Sequence, residues 1–215
     1  MSFDFVEKVT SSGAGSAVLT PASTPTEGQL LIICGGRDPE LNSTTTLPSG
    51  FAFDVSYEVN NRACFIASKV ASASEPATYT VLQASGQGIS LTLEVWDMNG
   101  LASVGTGVTA ASTNASSVSV GPITPSVGDL CIAAAFFGSA THQSWSNSFI
   151  NSGEGGGSGY KIQSANKIAA STSESTTHTL TSSTLRQSAA LINYVETAVL
   201  SSIIPQIMHN RRQMQ

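Results

Sequence analysis

The chain has 215 residues, of which 11% are charged, 40% are hydrophobic and about a quarter are Ser or Thr. A net charge of −5 and a pI near 5.0 leave no basic surface that could release counterions from phosphates, which argues against nucleic-acid binding. Few charges and many hydroxyls suit the polar faces of strands better than charged helices, so an all-β protein with a substantial core is expected.

The opening, MSFDFVEKVTSSGAGSAVLT, has acidic residues where a secretory leader needs a basic start and an apolar stretch. No later run reaches the roughly 18 apolar residues of a membrane span, so no membrane contact is expected. From Pro25 the chain reads PTEGQLLIICGG, a turn at Gly28 followed by an apolar run of strand length. LPSGFAFDV, ACFIASKVASASEPATYTVLQ and ISLTLEVWDMNG follow. In the last of these, alternation puts Glu94 and Trp96 on one face, while Asp97 opens a turn. LASVGTGVTAASTNASSVSVGPITPS also alternates, and reads as further strand rather than linker.

At Pro125 the earlier phrase returns as PSVGDLCIAAAFFG, then WSNSFINSG, GYKIQSANKIAASTSESTTHTLTSS and SAALINYVETA. Gly28 matches Gly128, Lys69 matches Lys167, Glu75 matches Glu174 and Trp96 matches Tyr194, all at offsets of 98 to 100. In both copies alternation turns Tyr79 or His178 to one face and Thr80 or Thr179 to the other. A period near one hundred is too long for a solenoid repeat or a propeller blade and implies a duplicated half, each of about four strands. The predicted architecture is a jelly-roll-like two-sheet sandwich over residues 1–200, with half-repeats at about 3–100 and 118–197 related by a pseudo-twofold.

Searching the chain for chemistry finds little. His142, His178 and His209 are far apart in sequence and match no metal-ligand spacing, and Cys34, Cys64 and Cys131 are read as reduced thiols, those at 34 and 131 inside apolar runs. No nucleophile elbow is present. Glu94 and Asp97 flanking Trp96 superficially resemble a glycosidase pair, but their alternation separates them. SGEGGGSGYK lacks the following helix of a phosphate-binding loop and reads as a hairpin tip. Of the aromatic residues Phe51 and Trp96 are expected in the core, while Trp145, in the polar stretch THQSWSNS, is a candidate glycan contact. No enzyme, cofactor or metal is expected.

The pattern TPTEGQLLIICGG, LPSGF, CFIASKVASASEPATYTV and ISLTLEVWDMNG resembles a recurring β-sandwich module of structural proteins in tailed bacteriophages, over roughly residues 3–197. Phe51 stands where that pattern usually has Trp. The resemblance implies a virion protein assembled in the host cytoplasm: a capsid decoration or cement protein contacting the major capsid protein and self-associating as a trimer, or alternatively a fibre or adaptor module binding a glycan. Residues 201–215 lie outside the repeat. With Ile203, Ile204, Ile207 and Met208 beside Arg211 and Arg212, they are expected to form an assembly arm.

Overall fold

A computed structural model of the chain describes residues 3–37, 45–59, 62–84, 88–138, 140–157 and 159–197. Among these there is no helix. The first half supplies β1 (Asp4–Ala14), β2 (Ser16–Leu19), β3 (Leu30–Arg37), β4 (Thr45–Thr46), β5 (Ala52–Val59), β6 (Arg62–Val70), β7 (Tyr79–Gln83) and β8 (Gly88–Asp97). The second supplies β9 (Leu101–Val104), β10 (Val108–Ile123), β11 (Leu130–Phe137), β12 (His142–Trp145), β13 (Ile150–Gly156), β14 (Lys161–Ile168) and β15 (Glu174–Glu196). Each half therefore holds about twice the expected four strands, because the alternating segments are divided by bends and edge strands that leave little mark in the pattern.

All pairing is antiparallel, and each sheet is drawn from one half. The first half forms a sheet ordered β1-β8-β3-β6-β5 and a small one ordered β2-β7-β4. The second repeats the larger order as β10-β15-β11-β14-β13, with β12 and β9 both on β15. In the second half the small sheet is not separate. The 16-residue β10 does the work of β1 and β2, and the 23-residue β15 that of β7 and β8. Gly15 (φ 74°) ends β1, and Asn114 (φ 50°) bends β10 at the matching place. Gly and Asn tolerate that left-handed backbone best, so one position breaks the strand and the other bends it. The second repeat thus starts near residue 108, earlier than the expected 118.

The duplicated residues build duplicated geometry. Gly28 and Gly128 take φ of 91° and 99° and donate to the carbonyls of Ala71 and Ala169, each at 2.9 Å. Lys69 Nζ lies 2.9 Å from Glu75, and Lys167 Nζ 2.6 Å from Glu174. Each lysine also sits over an aromatic ring, Phe51 at 5.6 Å and Phe149 at 5.8 Å. Burial raises the Glu75 carboxyl, but Lys69, the Ser72 amide and hydroxyl, and the Tyr79 hydroxyl together outweigh it and hold it at about 2. The matching Glu174 is lowered by the same balance. Each clamp ties the end of one strand, β6 or β14, to the start of the next stretch of chain, the turn before β7 or the first residue of β15.

Inside each half an apolar layer separates its two sheet portions, around Leu31, Ile33, Phe65, Tyr79 and Leu93 in the first and Val118, Cys131, Trp145, Phe149 and Leu191 in the second. A third, central layer joins the halves, packing Leu30, Ile32, Cys34, Ile66 and Trp96 against Leu130, Ile132, Phe136, Ile192 and Tyr194. Each such side chain contributes roughly 1.5–3 kcal/mol when fully buried. Cys64 Sγ donates to Ala134 O at 3.6 Å across this layer, and Tyr194 Oη to Asp54 Oδ2 at 2.7 Å.

Contacts across the layer are reciprocal. Lys8 meets β13 at Gly153, and at the corresponding pair Gly107 meets β5 at Val55. Gly36 faces Phe136, its own counterpart in the repeat, and a Cβ there would collide with Phe136 at its Cγ and Cδ2. A residue that touches its own equivalent lies on the local twofold axis. Glycines of the SGEGGGSGYK segment, Gly153 among them, close the seam between β13 and the β1–β8 pair. It is the β13–β14 hairpin as expected, and a Cβ on Gly155 would collide with the carbonyl oxygen of Leu91.

Gly36→Phe should therefore cost about 3 kcal/mol by overpacking, and adding Phe136→Ala should restore at least half of that loss. Denaturant midpoints of the two single variants and the double variant measure the coupling. An additive double variant would show that the two residues do not share the axis.

Candidate functional site

The six arm residues Ile203, Ile204, Ile207, Met208, Arg211 and Arg212 lie outside the described residues. Trp145 does not form a sugar platform. It sits at the end of β12, is 9% exposed, and packs 4.7 Å from the His178 ring, because the inward parity of its short strand overrides the polar sequence around it. Trp96 is also buried. Phe51 stands edge-on to Tyr79 at 5.6 Å, and Tyr160 stacks on Phe136 at 5.9 Å. Glu94 and Asp97 are on opposite sides of the surface, as their alternation implies. Glu94 is fully buried, accepts from Trp96 Nε1 at 3.2 Å and has its carboxyl raised by burial, whereas exposed Asp97 accepts from Gln29 Nε2 at 2.8 Å. The three cysteines are free and buried.

The side-chain cluster that sequence spacing misses is histidine-based. β12 pairs with the first turn of β15, Trp145 opposite His178 and His142 opposite Leu180, and this brings together two histidines 36 positions apart. The rings stack at 5.2 Å with 16° between their planes, and His142 Nδ1 lies 3.1 Å from His178 Nε2. Gln187 Nε2 donates to Ala115 O at 2.9 Å, which leaves its Oε1 to accept from His178 Nδ1 at 3.2 Å. His178 Nε2 then carries the lone pair and accepts from the Nδ1–H of His142. The result is a directional chain of neutral donors, from half-buried His142 to the backbone of β10.

His178 replaces Tyr79 of the first half, and its place on the strand face opposite Thr179 was readable. Its partner was not, since nothing near His142 in sequence indicates the pairing. Walled by Phe137 and Trp145, fully buried His178 is pushed down to about 4, mainly by burial and further by His142, against the opposing effect of Gln187. His142 is also lowered by burial, with Glu154 opposing. Both rings are neutral at pH 7, and the buried lone pair is already engaged, so the pair works as a structural lock for β12 more readily than as a base. Among the described residues no group of three or more His, Cys, Asp or Glu is placed to hold a metal ion. Comparison with protein-family models, curated proteins and solved structures returns no match for the chain.

A histidine whose folded pKa lies below its ordinary 6.5 stabilises the fold fully above that value, and the contribution is lost as the pH falls toward 4. For His178 this amounts to roughly 3 kcal/mol. Melting temperature should fall between pH 7 and pH 4, and His178→Tyr, which rebuilds the arrangement of the first half, should flatten most of that slope. An unchanged slope in the variant would assign the acid sensitivity elsewhere.

Proposed function

We propose that the chain is a non-enzymatic structural protein of a tailed-bacteriophage particle, a decoration or cement protein that stabilises the head by binding the major capsid protein and sister copies. The observation that carries this reading is what the two halves keep and what they change. The residues they share are turn glycines, lysine–glutamate clamps and core side chains, all of which serve the scaffold. Both halves expose some apolar side chains, and in the second half three of them stand near one another at one corner. Ile150 is 67% exposed, Ile168 is 45% exposed and diagonal to it across the β13–β14 pair, and Val127 is 64% exposed in the turn beside Ala169. Their first-half counterparts are Ala52, Val70, which is 42% exposed itself, and Glu27, so the apolar gains of the second half are Ile150 and Val127. An apolar corner on a rigid polar body suits attachment to a partner. The sequence resemblance to phage β-sandwich modules supplies the class of particle. A fibre or adaptor on the same scaffold is the alternative, and it would be present in few copies.

The test is incorporation. Purified particles should carry the full chain at high copy number on the head, and Ile150→Asp or truncation after Ser202 should reduce that copy number at least tenfold while leaving the melting temperature of the free protein nearly unchanged. Quantitative mass spectrometry of the particles reads the outcome. Particles lacking the full-length chain would overturn the proposal.

A further inference from the structure

The two halves close the end of their small sandwich in different ways. In the second half, Phe137 ends β11 fully buried and packs with Ala140 and Leu180, an apolar plug. The corresponding residue of the first half is Arg37, 7% exposed at the end of β3. Its Nη2 donates to Glu58 at 2.6 Å and its Nη1 to Gln83 Oε1 at 3.4 Å, an oxygen that also accepts from Thr45 Oγ1 at 3.0 Å. An apolar plug serves the second half at this place, whereas here a buried guanidinium is held by a half-exposed carboxylate, and burying that charge carries a desolvation cost. The charge at this end therefore has a use beyond packing.

Beside Arg37 lies a cleft of about 290 Å³, also lined by Phe53, Ser56, Tyr57 and Glu58. Phe53 is 46% exposed, lines the cleft and stands perpendicular to buried Phe65 at 5.3 Å, which holds the ring in place. The Glu58 side chain is 47% exposed, and its carboxylate has acceptor capacity beyond its bond to Arg37. None of Arg37, Phe53, Tyr57 or Glu58 is repeated, since Phe137, Asn151, Gly155 and Gly156 occupy the matching positions.

We propose that this cleft binds a neutral hexopyranoside. An aromatic face takes the C–H side of a sugar ring, and a carboxylate beside a guanidinium takes two neighbouring hydroxyls, one donating and one accepting. The charge of Arg37 is matched by Glu58, which favours a neutral ring over a phosphate or carboxylate. The cleft is at the small end of ligand sites, which run to about 1,000 Å³, and accommodates one ring. Sugar binding is independent of attachment to a particle, so either property can fail without the other.

Saturation-transfer NMR and calorimetry on the full chain, using the methyl α- and β-glycosides of glucose, galactose, mannose and N-acetylglucosamine as probes, test it. At least one should bind saturably, and Phe53→Ala and Glu58→Gln should each weaken it at least tenfold, whereas Ile150→Ser, remote from the cleft, should leave it unchanged. Ser56→Tyr, which adds a ring at an exposed position of the cleft wall, should abolish binding and serves if either other variant fails to fold. No saturable binding by any of the eight glycosides, or binding that survives Ser56→Tyr, would overturn the assignment.

Discussion

The structure depends on two sheets, one from each half, burying their inner faces against each other around a local twofold axis. A face that packs on its own duplicate meets itself where the axis passes, and two large side chains cannot occupy that point. Gly36 opposite Phe136 meets this constraint by asymmetry: one copy gives up its side chain and the other fills the space. The glycines at 107, 153 and 155 do the same at the edges, letting β5 and β13 approach the opposing half closely. The copies therefore cannot be identical at their contact, whatever the rest of each half does.

Away from that contact the halves preserve what holds each one together. The lysine–glutamate clamp joins the end of one strand to the next stretch of chain at a place where an unpaired buried carboxylate would be expensive, so both of its members persist. The Tyr79 hydroxyl adds a donor to its clamp, while His178 turns from Glu174 toward His142 and Gln187. One substitution thus moved a polar contact from the hairpin to a neighbouring edge strand, which ties β12 down in a way that β4, only two residues long, has no counterpart for.

Divergence is greatest at the ends and corners, where neither core requires a particular residue. The first half places an ion pair and aromatic side chains at its end, and the second an apolar plug at its end and an exposed apolar corner on its flank. The proposed attachment surface and the proposed sugar cleft consequently belong to different halves. A duplicated scaffold permits this division, because each copy can lose a feature that the other retains.

Much of this was legible from the chain. The period of two identified the strands and set Tyr79 and His178 on the face opposite Thr80 and Thr179, and the matched glycines, lysines and glutamates revealed the duplication, because these depend on local backbone geometry that each segment specifies by itself. The opposed faces of Glu94 and Asp97 follow from the same alternation, and the buried thiols at 34 and 131 from the continuous apolar runs that hold them. Tertiary structure alone decided that each half keeps its strands in its own sheets, that β10 and β15 run unbroken where the first half breaks, that Trp145 is buried within a polar stretch, and that His142 meets His178. The reason is physical: alternation states which side of a strand is apolar but not which other apolar surface covers it, and that choice is made by packing between segments far apart in the chain.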